Sequence, residues 1–153
     1  MSEKIIFLDI NGVLRPLSGG DCNRPFVSSR CVDALNKVFI ETKAKIVLSS
    51  TWRYVVFSGS MNIDGLQTLL HTHDIQGDLI GVTRMDSDDS EVRESRWKQI
   101  SDWLKRNTDR WSKFAIIDDD PDAFGGRPGV QTNSATGLTM DDAKQVIEIL
   151  NER

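Results

Sequence analysis

The sequence predicts an α/β fold in which helices cover both faces of a mostly parallel sheet, and three observations lead to this prediction. Short apolar stretches that end in polar residues recur along the 153-residue chain. Stretches with the spacing of amphipathic helices separate them. The chain contains neither an internal repeat nor a linker-like segment. Strands that alternate with helices in this way are typical of a parallel sheet, and we expect residues 1–153 to form a single domain.

Four apolar segments are predicted to be strands. The first, Lys4-Ile5-Ile6-Phe7-Leu8, has four consecutive apolar residues, as expected for a strand that is buried on both faces. The other three are predicted at 44–48, 78–82 and 113–117, and residues 129–132 are a candidate edge strand. The third segment carries the weakest strand pattern of the set.

Four helices are predicted from the periodic spacing of apolar residues. Ser28-Ser29 offers an N-cap for the first, the next two span 63–73 and 96–106, and the last opens with Thr139-Met140-Asp141-Asp142, a sequence typical of a capping box. Right-handed connections would bring the carboxyl ends of the strands to one edge of the sheet. The predicted architecture is a Rossmann-like three-layer sandwich.

Composition places the chain among ordinary globular proteins, with 39% hydrophobic and 27% charged residues. A net charge of −4 provides no overall basic field for nucleic acid. No apolar run approaches the roughly 20 residues that span a bilayer, and no signal-peptide pattern opens the chain, so the expected compartment is cytoplasmic. Cys22, Cys31, His71 and His73 have neither zinc-site nor disulfide spacing, and both histidines are predicted to lie on the surface.

Polar groups directly follow three of the predicted strands. Asp9 ends the first, Ser49-Ser50-Thr51 follow the second, and Asp118-Asp119-Asp120 follow the fourth. Ligands of open α/β sheets bind beyond the carboxyl ends of the strands, so these groups are candidates for one site. An oxygen-rich cluster without histidine suits Mg²⁺. Simpler interpretations are a turn capped by Asp9, a helix capped by the hydroxyls, and a solvated acidic turn.

Three segments in this order resemble motifs of the haloacid dehalogenase (HAD) superfamily of aspartate-nucleophile phosphohydrolases. They are Phe7-Leu8-Asp9-Ile10-Asn11-Gly12-Val13-Leu14, Val47-Leu48-Ser49-Ser50 and Ile116-Ile117-Asp118-Asp119. Ser49-Ser50-Thr51-Trp52-Arg53 and Gly137-Leu138-Thr139 further resemble the small HAD domains associated with RNA-repair proteins. The segments between motifs are too short for a large cap domain.

This resemblance implies a Mg²⁺-dependent phosphomonoesterase in which Asp9 attacks phosphorus. The cation would be held by the Asp9 carboxylate, the Asn11 backbone carbonyl and either Asp118 or Asp119. An open site without a cap suits a phosphorylated substrate such as a nucleotide or a nucleic-acid end, with no role for a membrane.

The resemblance also assigns the phosphate-binding residues. Ser49 would donate a hydrogen bond to a phosphoryl oxygen, and either Arg96 or Lys98 would offset the negative charge of the carboxylates. Ser50, Arg53 and the open backbone at Gly12 are the candidate contacts with the rest of the substrate.

Asn11 departs from the pattern of the superfamily, whose phosphatases usually carry an acid/base Asp two residues after the nucleophile. Because an amide transfers no proton, Asn11 is consistent with a slow phosphatase, with one that needs good leaving groups, or with a substitution made to trap a complex. A catalytically degenerate domain that binds phosphorylated ligands or a partner protein is the main alternative. Hydrolytic dehalogenation is a weaker one, because it would leave the acidic cluster without a metal.

Overall fold

Five parallel strands form the central layer of the protein, for which a computed structural model describes residues 4–16, 27–49, 59, 62–83, 96–107 and 113–151. The strands are Lys4–Leu8 (β1), Lys45–Leu48 (β2), Leu79–Val82 (β3), Lys113–Asp118 (β4) and Gly129–Gln131 (β5). They pair in the order β3-β2-β1-β4-β5. The apolar β1 is therefore the central strand, in agreement with its predicted burial on both faces. The candidate edge strand at 129–132 corresponds to β5, which lies at one edge of the sheet.

Helices cover both faces of this sheet. Their bounds are Ser29–Thr42 (α1), Ile63–Thr72 (α2), Arg96–Asn107 (α3) and Met140–Asn151 (α4), with a short 3₁₀ helix at Pro121–Ala123. Helices α1, α2 and α4 contribute to the larger apolar core on one face, whereas α3 and the 3₁₀ helix contribute to a smaller core on the other. The predicted three-layer α/β sandwich is confirmed.

Alternate residues of β1 enter the two cores, which is why the whole strand is apolar. Ile6 and Leu8 belong to the larger core, and Ile5 and Phe7 to the smaller one. The ring of Trp103 from α3 meets Phe7 edge-on, with ring centroids 5.7 Å apart. This contact fixes which face of α3 is turned towards the sheet.

The register of β3 contains one irregularity. Ile46 of β2 pairs with Leu79, but Val47 pairs with Gly81, so that Ile80 has no partner in the ladder. The extra residue is a β-bulge, and the Ile80 side chain is 40% exposed. Every residue of the strand after Ile80 is consequently shifted by one position relative to β2.

Helix α4 begins with the capping box that its sequence predicted. The Thr139 amide donates to Asp142 Oδ2 at 3.0 Å, and the Asp142 amide donates to Thr139 Oγ1 at 3.1 Å. Ser28 occupies the N-cap position of α1, but its side chain makes no capping hydrogen bond. The box therefore satisfies two backbone donors at the start of α4.

The prediction that both histidines lie on the surface was wrong for His73. His71 is exposed, and its Nε2 lies 2.9 Å from Gln67 Nε2. His73 is buried, with 8% exposure, because it lies three residues after the buried Leu70 and shares its face at the end of α2. None of the described helices is long and apolar enough to span a membrane.

Candidate active site

Four polar residues lie in one row across the carboxyl edge of the sheet. Phe7, Val47 and Ile116 are in register on β1, β2 and β4, and all three face the smaller core. Side chains two residues further along each strand point to the same side, which places Asp9, Ser49 and Asp118 next to one another. Gly81 pairs with Val47, so Thr83 extends the row beyond Ser49.

Asp9 occupies the middle of this row. Its backbone amide donates to the Ile117 carbonyl at 3.1 Å, and its Oδ1 accepts the Ile10 amide at 2.9 Å. The residue is only 4% exposed. These two hydrogen bonds hold the carboxylate at the edge of the sheet. The Ile10 amide binds Oδ1 and not Oδ2.

Three carboxylates from two distant segments converge here. One oxygen from each of Asp9, Asp118 and Asp119 lies within 4.8 Å of the other two. Asp118 is fully buried, and its Oδ1 accepts the Asp120 amide at 3.0 Å. Its Oδ2 accepts no hydrogen bond from any residue that the structure describes. A buried carboxylate oxygen that accepts no hydrogen bond favours a cation beside it, and Arg96 Nε, 3.5 Å away, is one such neighbour.

Asp119 lies directly over the turn that follows Asp9. Gly12 adopts a positive φ of 80°, and a Cβ placed on it would be 2.2 Å from Asp119 Oδ2. The Gly12 carbonyl accepts the Thr132 hydroxyl at 2.7 Å, which ties the turn to the end of β5. Only glycine allows this turn and this carboxylate to approach each other so closely.

Arg96, the first residue of α3, faces the same carboxylates. Its Nη1 lies 3.6 Å from Asp9 Oδ1 and its Nε lies 3.5 Å from Asp118 Oδ2. Nη1 also donates to the Ser49 backbone carbonyl. Lys98, the other basic residue that the sequence left open, is exposed on α3. Helical spacing predicts that Arg96 shares the buried face of α3, because it lies four residues before Ile100 and seven before Trp103, and both of these are buried.

The electrostatics of the cluster disfavour the ionisation of both Asp9 and Asp118 in the absence of a further cation. Burial raises the pKa of Asp9 from its ordinary 3.8 to about 6, although the charge of Arg96 opposes the rise. Burial, reinforced by the charge of Asp9, raises the pKa of Asp118 to about 8, again against Arg96. Among the described residues, the guanidinium of Arg96 does not offset these effects, which favours a proton or a further cation at the cluster.

The donor set fits a hard divalent cation. Among the residues that the structure describes, the candidate ligands are all oxygens, and three carboxylates face the one guanidinium of Arg96. Mg²⁺ prefers oxygen ligands, and carboxylates can hold it together with water and substrate oxygens. Asp9, Asp118 and Asp119 are therefore the described side chains that would hold the ion, with the half-exposed Asn11 on the adjoining turn.

The structure brings together most of the site residues that the sequence singled out. Ser49 is fully buried, and its Oγ has no hydrogen-bond partner among the described residues. Ser50 and Arg53 lie outside the part of the chain that the structure describes. Sequence reasoning missed Thr83 and Thr132, each of which follows a strand directly at the same edge. Both could have been found from the sequence, because each is a hydroxyl residue directly after the carboxyl end of a strand.

Comparison with known proteins agrees with this geometry. A search of curated proteins gave no match to the chain. A sequence model of the family described as HAD domain in Swiss Army Knife RNA repair proteins matches residues 5–143. That range includes the described strands, except for Lys4 at the start of β1, and all the site residues placed above. The chain therefore belongs to this family of small HAD domains, whose general chemistry is phosphohydrolysis.

Proposed function

We propose that this protein is a Mg²⁺-dependent phosphomonoester hydrolase with Asp9 as its nucleophile. The observation that carries the proposal is the convergence of Asp9, Asp118 and Asp119, with oxygens within 4.8 Å, beside the guanidinium of Arg96. Asp9 is a buried carboxylate at the carboxyl end of the central strand, and carboxylates that could bind a cation lie beside it. This arrangement suits covalent phosphoryl transfer.

In the first step a carboxylate oxygen of Asp9 attacks phosphorus, and the bond from phosphorus to the leaving oxygen breaks. The leaving oxygen takes a proton from water, and an aspartyl phosphate remains. In the second step water attacks the same phosphorus, the bond from phosphorus to the Asp9 oxygen breaks, and the attacking water gives a proton to the solvent; inorganic phosphate departs and the Asp9 carboxylate is regenerated. Arg96 and Ser49 would stabilise the charge on the phosphoryl oxygens.

The cation would be held by Asp9, Asp118 and Asp119, together with the Asn11 carbonyl. When bound, Mg²⁺ supplies positive charge that screens the carboxylates from the phosphate dianion. Without a cation, the three carboxylates that the structure describes, set against the guanidinium of Arg96, would repel an anionic substrate. Activity should therefore depend on added Mg²⁺ and disappear with a chelator.

Because of Asn11, we expect a low rate of phosphate ester hydrolysis. A protonated carboxyl group there would give the leaving oxygen its proton, and general acid–base catalysis typically contributes about 10²–10⁴-fold. The amide of Asn11 cannot do so. The protein should therefore prefer substrates whose leaving groups depart without protonation, such as p-nitrophenyl phosphate.

The substrate class we favour is a phosphate on a nucleotide or on a nucleic-acid end. The description of the matched family, which places such domains in RNA repair proteins, supports this choice. The short segments between the motifs also leave the edge of the sheet without a large cap. A site of this kind can receive a phosphate that projects from a macromolecule.

A steady-state assay with p-nitrophenyl phosphate and MgCl₂ tests the proposal. Asp9→Asn should lower kcat by at least about 10³-fold, because the amide is not a nucleophile. Asp33→Asn is the matched control, since Asp33 is an exposed carboxylate on α1, and it should leave kcat unchanged. Hydrolysis that persists in the Asp9 variant would refute the nucleophile.

Asn11 itself favours one second candidate function, a degenerate HAD domain that binds phosphorylated ligands without turnover. Asn11→Asp separates the two. A rise in kcat of about 10²-fold or more would show that the amide withholds proton transfer from an otherwise competent site. Calorimetry that detects binding of the phosphate ester, with no product from either variant, would support the binding function instead.

A further inference from the structure

We propose that Thr83 is a phosphoryl-binding residue, and that its hydroxyl and that of Ser49 hold oxygens of one phosphoryl group between them. This inference rests on the proposed function for the identity of the ligand. Thr83 follows β3 and lies outside the segments that resemble the motifs of the superfamily. It adds a second hydroxyl to the site.

The first argument is the unmet bonding of two neighbouring hydroxyls. Ser49 Oγ and Thr83 Oγ1 are both fully buried, and neither has a hydrogen-bond partner among the residues described. Buried polar groups are nearly always paired, and leaving one unpaired destabilises the fold. Two such groups at adjacent positions point to a ligand that both are placed to bind.

The second argument is distance. The Thr83 amide donates to the Leu48 carbonyl at 3.0 Å, which fixes Thr83 beside Ser49 at the same level of the sheet. Neighbouring strands are about 4.8 Å apart. An oxygen that accepts hydrogen bonds of about 2.7 Å from two hydroxyls can lie between donors up to about 5 Å apart. The spacing of adjacent strands therefore allows one phosphoryl oxygen to accept hydrogen bonds from both hydroxyls.

The third argument is the bulge that places Thr83 there. If Ile80 paired with Val47 in a regular ladder, the pairing that starts at Ile46 and Leu79 would set Val82 beside Ser49, and the row would end in an apolar side chain. The bulge instead leaves Ile80 40% exposed and brings the hydroxyl into line. Bulges are enriched next to active sites, where they re-aim a side chain in this way.

The test compares Thr83→Val with Thr42→Val. Both threonines are buried, but the Thr42 hydroxyl donates to the Val38 carbonyl at 2.7 Å and accepts the Ala44 amide at 3.2 Å. Thr83→Val should weaken the binding of inorganic phosphate, measured by calorimetry in MgCl₂, by about tenfold without lowering Tm. Thr42→Val should lower Tm and leave phosphate affinity unchanged, and Thr83→Ser should restore most of the affinity.

Each possible result for Thr83→Val either supports or overturns the proposed role of Thr83. Phosphate affinity within twofold of the wild type in Thr83→Val, while Ser49→Ala loses it, would overturn the role of Thr83 and leave the proposed function standing. Affinity that depends on Thr83 in a protein that releases no p-nitrophenol would support Thr83 and reject the proposed catalysis. A fall in Tm like that of Thr42→Val, with unchanged affinity, would assign the hydroxyl to folding and overturn the inference.

Discussion

The carboxylate of Asp119 occupies the space that any side chain at Gly12 would need. A Cβ on Gly12 would lie 2.2 Å from Asp119 Oδ2 and 2.6 Å from its Cγ. The turn after the nucleophile and the second residue of the acidic pair are thus fitted to each other. A substitution at Gly12 must either displace the carboxylate or open the turn.

Gly12→Ala is therefore expected to weaken Mg²⁺ binding by about tenfold or more, as measured by calorimetry. It should also lower the free energy of unfolding by about 1–3 kcal/mol, because alanine is strained at a φ of 80°. Gly126→Ala is the matched control. Gly126 has a φ of 74°, yet no atom of the residues that the structure describes lies within 4 Å of the position of its Cβ. Equal Mg²⁺ affinities in the two variants would contradict the role assigned to the Gly12–Asp119 contact.

The convergence of the acidic residues was predictable, because it follows from topology alone. Parallel strands end at the same edge, so Asp9 and Asp118 had to be neighbours once β1 and β4 were adjacent. The position of Thr83 was not predictable in this way. It depends on one unpaired residue, Ile80, and sequence patterns do not specify a shift of register by a single position.

The choice between Arg96 and Lys98 depended on the rotation of a helix. Residues two positions apart point to nearly opposite sides of a helix, so only one of them can face the sheet. Trp103 packs against Phe7 and sets that rotation. The spacing of apolar residues in α3 was enough to predict which side of the helix faces the sheet. Only the fold shows that α3 begins at the edge of the sheet where the carboxylates lie.

Arg96→Ala should lower kcat/KM for p-nitrophenyl phosphate by about 10²-fold, the usual effect of removing a charged donor from a phosphoryl site. Arg96→Lys should recover only part of this loss. A lysine keeps the charge but cannot contact Asp9 Oδ1, Asp118 Oδ2 and the Ser49 carbonyl together.

Lys98→Ala is the comparison that tests the alternative, and Lys105→Ala is the control, since Lys105 is exposed in the last turn of α3. Both should lose far less activity than Arg96→Ala. A loss in Lys98→Ala as large as that in Arg96→Ala would show that the basic function of the site is shared.

The capping box of α4 gives a prediction for stability that is separate from the site. Thr139→Ala removes the acceptor of the Asp142 amide and should cost about 1 kcal/mol of unfolding free energy in urea. Thr139→Ser keeps the hydroxyl and should cost little. Kinetic constants should not change in either variant, because α4 packs in the larger core on the face away from Arg96. A cost equal in both variants would contradict the capping role.

Protonation of Asp118 should make the stability of the metal-free protein depend on pH. Its pKa is raised to about 8 in the folded protein, against about 3.8 in the unfolded chain, so the folded state keeps a proton that the unfolded state has lost. This contribution is fully present below pH 4 and is lost as the pH rises through about 8.

Asp118→Asn should flatten this dependence, because the amide resembles the protonated acid and does not ionise. In EDTA the unfolding free energy of the wild type should fall relative to that of the variant by about 3–4 kcal/mol between pH 5 and pH 8. Asp33→Asn removes an exposed carboxylate and should run parallel to the wild type.

Added Mg²⁺ should stabilise the wild type more at pH 8 than at pH 5, since the ion then replaces the proton. Asp118→Asn should lose most of this gain, because it removes one of the three carboxylates that converge at the site. Urea unfolding with and without Mg²⁺ at the two pH values measures both effects. Parallel profiles for Asp118→Asn and the wild type would mean that Asp118 is already ionised in the folded protein, with Arg96 as a sufficient partner.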